Sequence, residues 1–260
     1  MKALLSIFFF GIIIGVSAGA QTKSIVFVTQ DKQDFPWVIG DSSAIAAEKP
    51  GAAIDLVRSI AQKLGISIEI KRYPWTRCLE TELKNGTADG AFLASYKAER
   101  EAFGLYPQKD GKPDPSRRVN TSTYSFYRLK ASTWTWDGKT PKNPEKPVGT
   151  PGGYSIGADL KAMGMNVLAS GSTEVNFKNL LNGNLSLVAT LELDGDYLIE
   201  TNPAFTGKIE KVETPIVSKP YYIMLSKQFV AKDPELAAKI WAAVAEIRDK
   251  GLQNRLAKYF

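Results

Sequence analysis

Residues Gly51 to Arg100, GAAIDLVRSIAQKLGISIEIKRYPWTRCLETELKNGTADGAFLASYKAER, decide the fold. Ile54, Val57, Ala61 and Leu64 recur at spacings of three and four, with Leu56 and Ile60 widening the stripe, which predicts a helix burying one broad face. Gly65 follows as a left-handed cap. Ile66, Ile68 and Ile70 then alternate with Ser67, Glu69 and Lys71, the period of a strand with one buried face, and Pro74 ends it. A second helix from Trp75 carries Leu79 and Leu83 on one side and stops at Gly86, before the apolar run Ala91, Phe92, Leu93. Helices alternating with strands at these lengths imply parallel pairing in an α/β, doubly wound sheet, with a ligand crevice at the carboxyl ends of its strands.

A G-x-x-I-D-L helix start, a K-L-G helix end, an aromatic-led second helix, N-G-x-x-D-G and then A-E-R after the next strand follow one another in order. This succession resembles the family 3 bacterial extracellular solute-binding proteins, the substrate-binding components of polar amino-acid uptake transporters. The resemblance is strongest in Gly51 to Arg100 and covers most of the chain. It implies a type II periplasmic binding protein, two doubly wound lobes joined by two crossing strands, closing by hinge motion on a small polar, carboxylate-bearing solute. It also implies an inner-membrane ABC transporter permease as partner.

The N-terminus agrees with export. Lys2 supplies positive charge, Leu4 to Val16 is largely apolar, and Ala18-Gly19-Ala20 is a small-residue cleavage site, so residues 1–20 read as a signal peptide cleaved near Ala20 and the mature protein as periplasmic. The apolar run falls short of the roughly 20 residues of a membrane span, and no later stretch is long and apolar enough to span. Removing it from 260 residues leaves room for two lobes. Lys and Arg number 33 against 27 Asp and Glu, a net charge of +6, but the positive residues are scattered and accompany no nucleic-acid-binding motif. With no histidine, the usual Ser-His-Asp and Cys-His constellations are excluded and the commonest zinc ligand is missing, so neither a metal nor a cofactor is expected. The single cysteine, Cys78, has no disulfide partner in the chain and reads as a small packed residue.

Candidate ligand residues gather at predicted strand ends and helix starts. The strand Ser24 to Thr29 leads to Phe35, Pro36 and Trp37, where Phe35 and Trp37 either wall the cleft or clamp the loop onto its own lobe. Trp75 and Arg77 open a helix near its positive dipole end; Trp75 is core or cleft, Arg77 a ligand contact or a solvated arginine. Arg100 offers the planar fork that fits a carboxylate, and the resemblance gives it that role; Ser95 and Tyr96 stand just upstream. In the second lobe the turn Gly149 to Gly153 leads into a helix at Tyr154 and Ser155, presenting backbone N–H groups, with Ser155 a ligand contact or an N-cap. Leu185 to Leu193 reads as a strand. The resemblance places a ligand-binding aspartate near its end, where Leu191 stands, leaving Glu192 to take over that role and Asp194 less easily.

The crossings are expected at Thr123 to Leu129 and Thr214 to Lys219, dividing the chain into a first lobe of 21–125 and 216–260 and an inserted second lobe of 126–215. Asp233-Pro234 starts a C-terminal helix with Leu236, Ile240, Val244 and Ile247 on one stripe, broken at Gly251. The competing classes are a cyclohexadienyl-dehydratase-like enzyme on the same fold, with Glu192 as general acid, and the ligand-binding subunit of a sensor.

Overall fold

The computed structural model describes residues 23–260; the signal-peptide reading lies outside them. In chain order the elements are β1 (Ser24–Gln30), α1 (Ala52–Leu64), β2 (Ser67–Tyr73), α2 (Trp75–Arg77, continued by a π-helical stretch Cys78–Leu83) and β3 (Gly90–Ser95). A small hairpin of β4 (Gln108–Lys109) and β5 (Lys112–Pro113) precedes the long β6 (Asn120–Leu129). Then come β7 (Val148–Pro151), α3 (Ser155–Ala162), β8 (Val167–Ser170), α4 (Thr173–Leu181), β9 (Leu187–Leu191), α5 (Glu192–Thr201) and β10 (Ile209–Lys211). The chain ends with β11 (Val217–Leu225), α6 (Lys227–Lys232) and α7 (Pro234–Leu256).

One sheet of order β2-β1-β3-β11-β6-β9-β7-β8 carries the molecule, with β10 added to β6. At one end β1 runs parallel to β2 from Ser24 opposite Ser67 to Gln30 opposite Tyr73; at the other β7 runs parallel to β8. Between them β6 and β11 are antiparallel neighbours. Asn120 to Tyr124 of β6 pair with β11, and Tyr124 to Tyr127 pair with β9. A single strand therefore passes from the β1 side of the sheet to the β9 side.

Helices cover both faces. α1 ends at Gly65, whose φ of 64° is the left-handed cap the sequence predicts, and the next N–H bonds Ala61. Ile54, Leu56, Val57 and Ile60 of α1 join Ile240, Val244 and Ile247 of α7 in one buried cluster. On the opposite face Cys78, Leu79 and Leu83 pack with Tyr106, Tyr222 and Met224, and Phe177, Leu180 and Val188 form a third cluster around β9. Each such fully buried side chain contributes roughly 1.5–3 kcal/mol. Cys78 is packed as expected, its thiol facing the Thr29 carbonyl at 3.2 Å and pushed up by burial to about 12.

Three local expectations are corrected. α7 runs through Gly251 without breaking, because the Arg255 side chain folds back over that turn and bonds the Ile247 carbonyl. The helix at Trp75 makes one α turn and then widens into a π-helix. The expected strand Leu185 to Leu193 stops at Leu191, where the backbone turns directly into α5.

Candidate functional site

The carboxyl ends of β1 and β3 and the amino end of α3 meet across the crossing strands. They enclose a narrow chamber, with free space of about 10 Å³, lined by Gln30, Asp34, Trp75, Leu93, Ser95, Arg100, Tyr124, Tyr154, Ser155, Leu191 and Tyr221. Its floor is the crossing pair itself: Tyr124 of β6 and Tyr221 of β11 share a hydroxyl hydrogen bond of 2.6 Å. Leu93, at the wall, is held at φ 68°, a conformation a non-glycine side chain adopts at a cost, and such strain gathers at working sites.

Arg100 follows β3 in a short 3₁₀ turn (Ala98–Ala102) that folds it inward to 7 % exposure. Nη1 donates to the Ser95 carbonyl (2.8 Å) and Oγ (3.1 Å), Nη2 donates to the Gly153 carbonyl (2.9 Å), and the guanidinium carbon lies 5.8 Å from the Trp75 ring centroid. Among the described residues no carboxylate forms a salt bridge with it. Tyr106 reinforces the turn, its hydroxyl donating to the same Ser95 carbonyl (2.8 Å).

The wall across the chamber is the turn before α3. Gly153 sits at φ 75° and presents its carbonyl, not its N–H, to Arg100. Tyr154 donates its hydroxyl to Gln30 Oε1 (2.9 Å), and Ser95 donates to Ser155 Oγ (2.9 Å). Ser155 is the first helical residue and makes no cap; Tyr154 occupies the N-cap position. The Ser155 hydroxyl instead receives Lys219 Nζ (3.2 Å), which also bonds Asp159, itself bonded by Lys97 (2.8 Å).

Of the residues predicted from sequence, Arg100, Trp75, Ser95, Tyr154 and Ser155 line this chamber, and Gly153 closes on it through Arg100. The others stand elsewhere. Trp37 is buried against α1, because the Asp34 and Trp37 carbonyls take the N–H groups of Val38 and Ala53 and fold the loop back on its own side. Phe35 stacks on Tyr197 of α5, centroids 4.0 Å apart. Tyr96 packs edge-on against Tyr106, and Arg77 lies at the surface, paired with Glu82 (2.8 Å) and over the Tyr73 ring.

Glu192 is the sharpest correction. As the first residue of α5 its carboxylate turns outward to an ion pair with Lys211, which also holds Asp196 (2.6 Å). The buried acid of that turn is Asp194, which accepts the Phe35 N–H (3.1 Å). Burial pushes its carboxyl up to about 6. Sequence reasoning missed Gln30, Asp34, Leu93, Tyr124 and Tyr221 as chamber residues, while Leu191, at the position the resemblance singles out, does line it. An Asp next to the aromatic Phe35-Pro36-Trp37 run was the available signal for Asp34. The tyrosines gave none, since a tyrosine in a strand reads first as packing.

Among the described residues no helix is long and apolar enough to cross a membrane, and no cluster of Cys, Asp or Glu is arranged to hold a metal ion. Known structures share the architecture. The GluR0 ligand-binding core from Nostoc punctiforme, in complex with L-glutamate, superposes with a TM-score of 0.67 at 20 % identity, over 91 % of this chain and 99 % of that one. An arginine third transport system periplasmic binding protein from Legionella pneumophila gives 0.71 at 17 %, over 92 % and 100 %. The ancestral amino-acid-binding protein AncCDT-1, a precursor of cyclohexadienyl dehydratase, gives 0.65 at 16 %, over 91 % and 95 %. The fold is thus the type II periplasmic binding fold. None of the curated proteins matches the sequence. The model of the bacterial extracellular solute-binding proteins, family 3, matches residues 30–260, and the chain belongs to that family.

Proposed function

We propose that the protein is a periplasmic solute-binding protein that captures a small, amino-acid-like solute carrying a carboxylate and hands it to an ABC transporter permease of the inner membrane. The lobes are residues 21–125 with 216–260, and residues 126–215, hinged where β6 and β11 cross. The observation that carries the reading is Arg100: a buried guanidinium, anchored by neutral carbonyls and a hydroxyl, facing the chamber with no carboxylate of the described chain beside it. A buried cation without a counter-ion is costly, and a ligand carboxylate supplies one. The fork matches that group bidentately. Binding without turnover is favoured because Glu192, the acid that catalysis would have used, is neutralised by Lys211 away from the chamber.

The test is thermal unfolding of the processed, ligand-stripped protein with a panel of amino acids, small peptides, polyamines and organic acids. A ligand at about 100 times its Kd adds about 2.7 kcal/mol, a Tm rise of roughly 5–10 °C for a chain of this size. Arg100→Ala should weaken the best carboxylate-bearing ligand roughly tenfold or more in calorimetry. Unchanged affinity removes Arg100 from the site.

A further inference from the structure

We propose that Arg72 is a positioning residue of the site: it does not line the chamber, but its guanidinium fixes the chain from the end of β1 towards α1 and so places Gln30 and Phe35, the residues through which that stretch meets α3 and α5. Only the affinity half of its test rests on the solute-binding reading above.

Residues 31–51 form neither a helix nor a strand of the sheet; their β contact is the isolated bridge between Asp34 and Val38. So long an irregular connection is uncommon in a compact domain and usually functional, and its main-chain carbonyls need donors from elsewhere. Arg72 supplies them. Of Ile68, Ile70 and Arg72, which alternate onto one face of β2, the arginine is the most buried, at 2 % exposure. Its Nε donates to the Gln30 carbonyl (3.0 Å), Nη1 to those of Ile39 (3.0 Å) and Ala44 (2.9 Å), and Nη2 to those of Gly40 and Lys32. All five N–H groups of the guanidinium thus go to main-chain carbonyls. Among the described residues no carboxylate forms a salt bridge with it, although Asp31 and Asp41 stand near enough to oppose the effect of burial on its charge.

The five carbonyls come from two arms. Gln30 and Lys32 lie where the chain leaves β1, and Ile39, Gly40 and Ala44 lie where it returns, so one planar group ties the outgoing arm to the incoming one. Between the arms the chain turns back from Asp34 to Val38 and carries Phe35, whose ring stacks on Tyr197 (4.0 Å) and whose N–H donates to Asp194 (3.1 Å), both residues of α5. Gln30, held by its carbonyl, accepts the Tyr154 hydroxyl at the start of α3 (2.9 Å). The apolar residue that Ile68 and Ile70 lead one to expect at position 72 would leave the carbonyls without these donors, and a lysine has three donors on one atom and no fork to span two arms. Arg248 offers the comparison. It too is buried, at 8 % exposure, and donates to the Ser116 and Arg118 carbonyls, but those residues do not line the chamber.

The experiment is amide hydrogen exchange on ligand-free wild type, Arg72→Ala, Arg72→Lys and Arg248→Ala, each alone and with about 50 mM guanidinium chloride, far below its denaturing range, or the same concentration of ammonium chloride. The amides to follow are those of Phe35, Val38 and Ile39, each hydrogen-bonded within the segment or to α5, against those of Phe27 in β1 and Ile60 in α1. In Arg72→Ala the first three should lose about tenfold or more in protection beyond any loss at Phe27 and Ile60, and guanidinium should restore them where ammonium does not; Arg248→Ala should show no such selective loss. An even loss across all five amides, no loss, or a selective loss that guanidinium leaves unrestored makes Arg72 a residue of the fold alone and overturns the proposal. If Arg72→Ala does not fold, Arg72→Lys decides, since it keeps the charge and gives up the fork: the same selective loss supports the proposal and full protection overturns it. The standard amino acids are then titrated by calorimetry. Any that binds wild type should bind Arg72→Ala about tenfold more weakly, regain affinity with guanidinium and bind Arg248→Ala as it binds wild type; unchanged affinity for Arg72→Ala overturns the positioning assignment and leaves the Arg100 reading intact. If none binds, it is the amino-acid reading that fails, and the exchange result alone decides on Arg72.

Discussion

Charge is handled in opposite ways in two parts of one seam. At the rim, Asp159 of α3 receives Lys97 and Lys219 together, so all three groups are paired across the β1 and β9 sides. In the chamber, Arg100 and Asp34 are buried and neither has an ionic partner of the described chain. Partly exposed pairs like those at the rim contribute about 0–1 kcal/mol each, whereas a buried unpaired charge costs several. If the lobes close as proposed, the rim favours the closed arrangement weakly, whereas the buried Arg100, without an ionic partner, opposes it until a ligand supplies the missing charge.

The largest effect expected in the ligand-free protein comes from Asp194, the buried acid of the α5 turn beside the chamber. Burial raises its carboxyl to about 6, against roughly 3.9 in the unfolded chain. Between those values the native state holds more protons than the unfolded state, so stability falls as pH rises through about 4 to 6 and then levels. Two units correspond to about 3 kcal/mol. In urea unfolding of the ligand-free protein at several pH values, Asp194→Asn should lose most of that decline, leaving the slope of the same sign that Asp34 contributes. Parallel curves for wild type and variant would mean that Asp194 is solvated, and the contrast between buried and rim acids would collapse.

How far the sequence reached follows the same division. Apolar periodicity, the Gly65 cap and the A-E-R segment are local signals, and they placed α1, β2 and β3 and put Arg100 in the turn after β3, because each is fixed by its own few residues. Glu192 failed for a local reason as well: ending β9 at Leu191 changes which way every following side chain points. Asp34 and the Tyr124–Tyr221 pair were not legible, since what matters about them is non-local. Tyr221 meets Tyr124 across 97 residues of chain, and Asp34 is informative only through partners it does not have. Trp37 looked like a cleft aromatic by position, but the backbone bonds that fold its loop onto α1 decided otherwise.

Gly153 separates strain within one side from contact across the seam. A Cβ there would lie 2.9 Å from Thr76 Oγ1 and 3.2 Å from Trp75 Cδ1, on the opposite wall, and the residue sits at φ 75°. Gly164 shares the left-handed backbone, φ 80°, with nothing within 4 Å of a Cβ. Alanine at either position should lower stability by about 1 kcal/mol or slightly more. Only Gly153→Ala should also weaken the best-binding ligand, by roughly five- to tenfold, because the extra methyl obstructs closure. Equal affinities in the two variants would show that this turn does not need to approach Trp75 for binding.

The rim gives the smallest effect and the one that sharpens the comparison most. Burial opposes ionisation of Asp159, yet the hydrogen bonds from Lys219 and Lys97 outweigh it and hold its carboxyl below the usual range. Its stabilisation is therefore present above the unfolded carboxyl's pKa and is lost as pH falls through the lower folded value. At neutral pH, Asp159→Asn should cost about 1 kcal/mol in urea unfolding, less in 1 M salt, where such pairs are screened. Ligand affinity should fall only by the share of closure the rim supplies, about two- to fivefold. A loss as large as that of Arg100→Ala would reverse the assignment: closure would then be governed by the Lys97–Asp159–Lys219 pairing, and the unpaired charges of the chamber would select the ligand without driving the lobes together.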